Sequence, residues 1–256
     1  MRSSNTPEKY CILLSALEGA VFTFELRARE LQSLLQEFQG HPFVRERIER
    51  NVLGRDLKVD MKAFWLAMLG CRLTSRQASS QTSPVSKFMK QCPHPLALHS
   101  CKDRDDLALF ISQTLQSYGG IRDYNKIGKE MAHNLIELDL YWEAISQDIE
   151  SLLKSRSVMK ERKLADWMSL IFKGFGPKQT RNLLQDLGCT HYEVPIDTRI
   201  TKWMNSSGVS PQIEPTKLSN RNYYLSVQNC FQEIARTLDL LPCVLDSIVF
   251  ISLDKG

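Results

Sequence analysis

The amino-acid sequence predicts an all-α protein of ten or more helices. Apolar residues recur three and four apart along most of the chain, good strand candidates are few, and several periodic segments carry recognisable helix ends. The spacing predicts a first amphipathic helix over Phe22–Phe38, then others over Phe43–Val52 and Met61–Leu73. Ser83 before Pro84 reads as an N-cap with proline in the first turn, and Gly119–Gly120 closes a helix that starts at Leu107. The periodicity returns over Met131–Leu138, Trp142–Leu153, Leu164–Phe172 and Thr180–Leu187. It continues over Ile200–Met204, Tyr223–Leu238 and Val244–Ile251. The best strand candidate, Cys189–Ile196, is short and carries Pro195, so it reads as a connection. Asn205–Ser219, with Gly208, Pro211 and Pro215, reads as a loop.

Composition narrows the class. At 256 residues, 43% hydrophobic and 24% charged, the chain can bury a full core as one large domain or two lobes. A net charge of +4 permits nucleic-acid binding without demanding it, because a local patch matters more than the total. No apolar run approaches the roughly 18–20 residues of a membrane span. The opening MRSSNTPEKY lacks the apolar core of a secretory signal, so the expected location is intracellular, in cytoplasm, nucleoid or nucleus. Seven scattered cysteines, an odd number, argue against a disulfide scaffold. The run from Cys92 through His94 and His99 to Cys101 offers zinc-type ligands, but its spacing matches no common structural site and two prolines stiffen it. It reads as a loop with surface histidines.

One segment says more than the rest. Glu161–Gly188 places an amphipathic helix before Lys173-Gly174-Phe175-Gly176-Pro177, with a second helix starting at once. Two glycines two apart allow positive φ and close backbone approach, and Pro177 suits a first helical position. The N-terminus of the second helix would face outward and accept an anion such as a backbone phosphate without reading any base. Lys173, Lys178 and Arg181 would add positive charge around it. Gly-x-Gly alone fits a plain helical hairpin better. Nineteen positions after Lys178, however, comes Val194-Pro195-Ile196-Asp197-Thr198-Arg199, an acid opening another helix.

Together these residues resemble the helix-hairpin-helix, Gly/Pro…Asp superfamily of base-excision DNA glycosylases, in particular its 8-oxoguanine glycosylase and endonuclease III branches. Gly174, Gly176, Lys178, Asp197 and Thr198 fall on the positions of the family pattern LPGVGxK…VDTH. Departures are Lys173 for a proline, Pro177 inside the hairpin and Arg199 for a histidine. A second resemblance lies upstream. Phe64–Leu69 and then Leu73-Thr74-Ser75-Arg76-Gln77-Ala78 look like the LLSxQ segment whose glutamine enters the DNA where the target base has left. The resemblance, anchored by these two motifs, covers about half the chain.

The resemblance implies two helical lobes with the hairpin at their junction. Residues 58–188 would form a helical barrel ending in the hairpin, and residues 1–57 would join 189–256 in the other lobe. It implies a bifunctional glycosylase and abasic-site lyase acting on damaged duplex DNA as a monomer, with no membrane partner. Lys178 would be the nucleophile that forms a Schiff base at C1′, and Asp197 the carboxylate that stabilises the cationic sugar. Lysine is a poor nucleophile at its ordinary pKa of about 10.4, so it must be held neutral or give its proton to a neighbour such as Asp197. Lys173, Gly174, Phe175, Gly176, Arg76, Gln77, Thr198 and Arg199 would contact DNA, and Asp246 and Trp203 are candidates for the base pocket. The other aromatic residues available for stacking, Phe64, Trp65, Trp142, Trp167, Tyr223 and Tyr224, stand at helical spacing, where aromatics are more often core residues. Only Cys189, Cys230 and Cys243 lie beyond the hairpin, too few for the iron–sulfur cluster of endonuclease III-type relatives. No cofactor is expected, apart from a monovalent cation at the hairpin that the resemblance implies. The missing cluster cysteines favour 8-oxoguanine. Oxidised pyrimidines, alkylated or otherwise modified bases, and a non-catalytic DNA-binding hairpin are the alternatives.

Overall fold

The computed structural model describes residues 11–13, 21–25, 36–54, 57–75, 77, 80 and 82–253, without the side chains of 11–13 and 25. The protein is mostly helical. Its Cα framework divides into two compact units, Met1–Arg55 with Thr190–Gly256, and Asp56–Cys189.

The continuous unit is built from α2 (Met61–Leu73), α3 (Pro84–Met89), α4 (Leu98–Cys101), α5 (Leu107–Tyr118), α6 (Tyr124–Lys154), α7 (Val158–Ile171) and α8 (Pro177–Asp186). Helix starts follow capping chemistry: Asp60, Ser83 and Ser157 each accept a hydrogen bond from a first-turn backbone N–H. Phe64, Trp65, Met68 and Leu69 of α2 are fully buried and pack with Ile111, Leu115, Leu138, Leu164 and Leu184 in one core. The two segments expected over Met131–Leu138 and Trp142–Leu153 are one helix of 31 residues, because Asp139-Leu140-Tyr141 between them carries no glycine or proline. Near its start Gly128 admits α5 at close range. A Cβ there would lie 2.1 Å from Ser112 Oγ and 2.5 Å from the Ala108 carbonyl oxygen.

The discontinuous unit contains β1 (Cys11–Leu13), β2 (Thr23–Glu25), α1 (Pro42–Arg47), α9 (Thr198–Ser206), β3 (Val209–Ser210), α10 (Arg221–Thr237) and α11 (Pro242–Ser252). Two short irregular helices belong to it as well, a wide turn over Ile48–Leu53 that continues α1 and a 3₁₀ segment over Pro215–Ser219. Its core gathers Phe24, Val44, Ile200, Met204, Val227, Phe231, Leu245 and Ile248.

Two expectations are corrected here. The helix predicted from Phe22 is a strand at its beginning, since β2 pairs antiparallel with both β1 and β3. Phe22 and Phe24 are buried while Val21 is exposed, an alternation that suits a pleated surface. Residues 36–38 are helical, and those between lie outside the described residues. The Asn205–Ser219 loop also holds more structure than expected. It contains β3, and Asn205 ties it down by exchanging two hydrogen bonds with the backbone of Ile213, at 3.0 and 2.7 Å. Cys189–Ile196 is a connection, as read. Among the described residues no helix is long and apolar enough to cross a membrane.

Replacing Gly128 by alanine should cost about 1–3 kcal/mol, since helix backbone and a buried serine must both move. A urea unfolding midpoint unchanged from wild type would show that the α5–α6 contact is slacker than described.

Candidate active site

Helix α7 runs out at Ile171, and Phe172 turns into the core, where its ring meets Phe175 edge to face at 6.1 Å. Lys173 and Gly174 make the turn. Asn134 of α6, itself fully buried, donates from Nδ2 to the Lys173 carbonyl at 3.0 Å and accepts from the Lys173 N–H at 2.7 Å. Gly174 adopts φ +78°, and a Cβ there would fall 2.5 Å from Arg72 Nε and 2.8 Å from Glu130 Oε2. Those two side chains are ion-paired beneath the turn, with Arg72 Nε 3.0 Å from Glu130 Oε2. Gly174 is thus required both for its backbone conformation and for space.

Gly176 is different. Its φ of −80° is open to any residue, and a Cβ there would meet nothing within 4 Å. The expectation that both glycines serve positive φ therefore holds only for Gly174. What glycine leaves at 176 is a bare, exposed backbone at the mouth of α8, which no side chain caps.

Helix α8 then opens with Pro177 and Lys178. Lys178 is half-buried in the first turn. One turn on, Asn182 donates to Cys71 Sγ of α2 at 3.2 Å, which fixes the face of α8 that carries Lys178. The buried Cys71 thiol is pushed up to about 12 by burial and then by the nearby Asp186 carboxylate, with the Asn182 hydrogen bond, Lys178 and Arg72 opposing. It is a neutral thiol at physiological pH and no nucleophile. Arg181 corrects another expectation. It is fully buried, donating to the Pro177 carbonyl at 3.1 Å and to Asp166 Oδ1 at 3.2 Å, so its charge is neutralised between α7 and α8 rather than offered to an anion. Lys173, by contrast, is exposed. On the flank of the turn an open cavity of about 440 Å³ is lined by Arg72, Ser75, Lys126, Glu130, Ser169 and Gly174, among others.

Gln77 lies half-buried in the segment after α2. Its amide donates to the Leu73 carbonyl and accepts from the Arg122 N–H at 3.0 Å, so it ties two loops of its own unit together. Arg76 lies outside the described residues.

In the discontinuous unit, Val194-Pro195-Ile196 is buried and leads to Asp197. The fully buried Tyr224 hydroxyl holds that approach, accepting from the Ile196 N–H at 2.9 Å and donating to the Val194 carbonyl at 3.1 Å. Sequence reading offered Tyr224 only as a stacking or core aromatic. Its position one turn into a helix bearing further apolar residues gave no sign of a backbone contact. Asp197 is the N-cap of α9, its Oδ1 accepting from the N–H groups of Arg199 at 2.8 Å and Ile200 at 3.0 Å. Its Oδ2 faces Arg199 Nε at 3.5 Å. Thr198 is exposed beside it. Lys173, Gly174, Phe175, Gly176 and Lys178 are thus grouped on one hairpin, and Asp197, Thr198 and Arg199 on one helix start in the other unit.

The remaining candidates have other duties. Trp203 is 6% exposed, its ring edge-on to Phe231 at 6.1 Å, so it is a core residue of its unit rather than a stacking platform. Asp246 is nearly buried and faces Arg47 Nη2 at 3.9 Å. Phe64 and Trp65 are fully buried, and the half-buried Trp142, Trp167 and Tyr223 lie edge-on to Phe64, Tyr141 and Phe22. The Cys92–Cys101 run is not the surface loop expected throughout. His99 is exposed, but His94 is half-buried against the Phe88 ring, accepts from the Leu96 N–H at 3.1 Å, and has its pKa lowered by burial. Cys101 is buried in α4. Among the described residues no group of three or more His, Cys, Asp or Glu side chains could hold a metal ion.

No family model matches this chain, and no match to it was found among curated proteins or solved structures.

Replacing Tyr224 by phenylalanine leaves a buried N–H and a buried carbonyl without their partner and should cost about 1–3 kcal/mol in chemical denaturation. Loss of less than half a kcal/mol would mean the hydroxyl does not hold the approach to Asp197. Thiol labelling of the native protein at mildly alkaline pH should modify the exposed Cys92 while Cys71, Cys189 and Cys230, all pushed up to about 12 by burial, stay unmodified until the protein is denatured. Rapid native labelling of Cys71, seen by peptide mapping, would contradict its burial against α8.

Proposed function

We propose that the chain is a base-excision DNA glycosylase with abasic-site lyase activity, acting on duplex DNA that carries an oxidised base, with 8-oxoguanine favoured. The observation that carries this reading is Lys178 in the first turn of α8, directly behind a rigid turn whose outer backbone at Gly176 is bare. A helix start of that kind accepts a phosphodiester by its N–H groups and dipole, and only glycine lets a second backbone come so close. An amine in the same turn can then reach the sugar attached to that phosphate. The Asp197 carboxylate, fixed by two backbone N–H groups, is the second part of the reading.

The chemistry follows from the two groups. The target nucleotide leaves the base stack, because the reacting carbon is shielded inside a duplex. The neutral Lys178 amine bonds to C1′ as the N-glycosidic bond breaks, its electron pair leaving with the base. Positive charge that develops on the sugar is stabilised by a carboxylate, the role this reading gives Asp197, and the proton released by the amine passes to solvent. Opening of the sugar ring gives the Schiff base. Loss of the C2′ proton then expels the 3′ phosphate and cuts the strand, and hydrolysis returns free Lys178. The expected partner is damaged or abasic duplex DNA, bound by a monomer in an intracellular compartment.

A second reading is favoured by one observation. Both oxygens of Asp197 are already engaged, by the cap and by Arg199, which is a sufficient structural reason for an acid there. On that reading the hairpin binds DNA without cutting it.

Borohydride trapping separates the two. On duplexes carrying 8-oxoguanine, thymine glycol, uracil or an abasic site, the wild-type protein should form a covalent adduct and the Lys178→Gln variant should form none, while binding DNA within about threefold of wild type. An adduct in both proteins would assign the nucleophile elsewhere. No adduct on any duplex, with tight DNA binding that Lys178→Gln weakens, would establish the non-catalytic reading.

A further inference from the structure

Arg199 is held more firmly than a half-exposed arginine needs to be. Its guanidinium carbon sits 4.2 Å from the centroid of the Phe250 ring on α11. Phe250 is itself stacked on Phe43 of α1, with centroids 5.1 Å apart and an interplanar angle of 18°. Arg47 lies over the Phe43 ring at 5.8 Å and in turn faces Asp246 at 3.9 Å. Each ring of the stacked pair thus has an arginine over it. One arginine is buried against an acid, and the other side chain is 42% exposed.

The Phe250 ring and the Asp197 carboxylate together restrict the exposed arginine. A guanidinium is planar and carries its N–H groups in that plane. In Arg199 the guanidinium carbon lies over the Phe250 ring and Nε lies 3.5 Å from Asp197 Oδ2. The side chain keeps 42% of its surface exposed beside the start of α9, so its outer pair of nitrogens, a fork by covalent geometry, can meet a ligand. A fork of that shape matches two oxygens of one phosphate. A stacked guanidinium also gives up little additional freedom on binding, because its rotamers are already restricted.

We infer that Phe250, backed by Phe43, is a positioning residue that presents Arg199 as a bidentate contact to one phosphodiester of the DNA strand passing Asp197. The inference rests on the glycosylase reading. It assigns to the Phe250 ring a part in DNA binding although the ring touches no DNA, and it accounts for an arginine where a histidine is usual. A lysine at 199 would keep the charge but lose both the flat face and the fork.

The test is fluorescence anisotropy of the full chain on a duplex with a tetrahydrofuran abasic-site analogue, over a series of NaCl concentrations. Each phosphate contact contributes about 0.9 to the slope of log affinity against log salt concentration. Arg199→Ala should make the slope shallower by about that amount and weaken binding roughly tenfold. Phe250→Leu should reproduce most of the slope change with Arg199 still present, and Phe250→Tyr should restore it. Arg199→Lys, a surface change that leaves folding intact, should recover less than half of the lost slope and so decides the matter even if Phe250→Leu is unstable in thermal melting. A wild-type slope in Arg199→Ala would overturn the phosphate contact, and full recovery in Arg199→Lys, or a wild-type slope in a folded Phe250→Leu, would overturn the positioning role. Failure of the wild-type protein to bind the duplex at all would instead remove the glycosylase reading, and this inference with it.

Discussion

Both hydrogen-bonding groups of the Lys173 backbone are taken by one buried side-chain amide, that of Asn134. A turn between two helices ordinarily satisfies such groups with water and pays no attention to the helices behind it. Here the turn is bound to the middle of α6, a helix 31 residues long whose own position is set by the core. Beneath it the Arg72–Glu130 pair fills the space a side chain at Gly174 would need. Leaving either Asn134 group unpaired would strand a buried amide, so the turn has few other conformations available. The direction of α8, and with it the point from which Lys178 emerges, depends on that constraint.

The other unit solves the same problem with different parts. Asp197 must stand at a helix start, and its approach is an extended run that forms no sheet. Without partners, the backbone of Val194 and Ile196 would be buried and unsatisfied. The Tyr224 hydroxyl answers both, one as acceptor and one as donor. Side-chain oxygen on the aspartate then closes the first turn of α9, so the carboxylate is held from behind by a tyrosine and from in front by two N–H groups. Each of the two proposed catalytic groups is thus carried by a polar side chain from a neighbouring helix.

Charge is distributed to the same end. Arg181 with Asp166, and Arg72 with Glu130, are largely buried pairs, and they lock α8 and the turn in place. Such pairs add little net stability compared with apolar packing, but removing one partner strands the other, so they enforce a single arrangement. Exposed pairs such as Lys154 with Glu150 have no comparable role. The cations left facing water, Lys173 and Arg199 among them, lie beside the turn and the start of α9, and on the proposed reading they meet DNA.

Most helices were legible in the sequence because an amphipathic helix writes its period into a few consecutive residues. The ends of α3 and α5, marked by Ser83–Pro84 and Gly119, were legible for the same local reason. So were the hairpin itself and the capping aspartate. The strand at Thr23–Glu25 was not, since its partner Ser210 stands 187 positions away and three residues carry no period of their own. Nor could the sequence separate Arg181 from Lys173 as cations beside the turn, or Tyr224 and Trp203 from aromatics free to stack. By itself, the sequence determined where helices begin and end and which residue types stand at the hairpin, because capping, glycine conformation and periodicity act between near neighbours. Only the tertiary structure decided which of those residues remain available for chemistry. Burial and ion pairing depend on groups that folding brings together from distant parts of the chain.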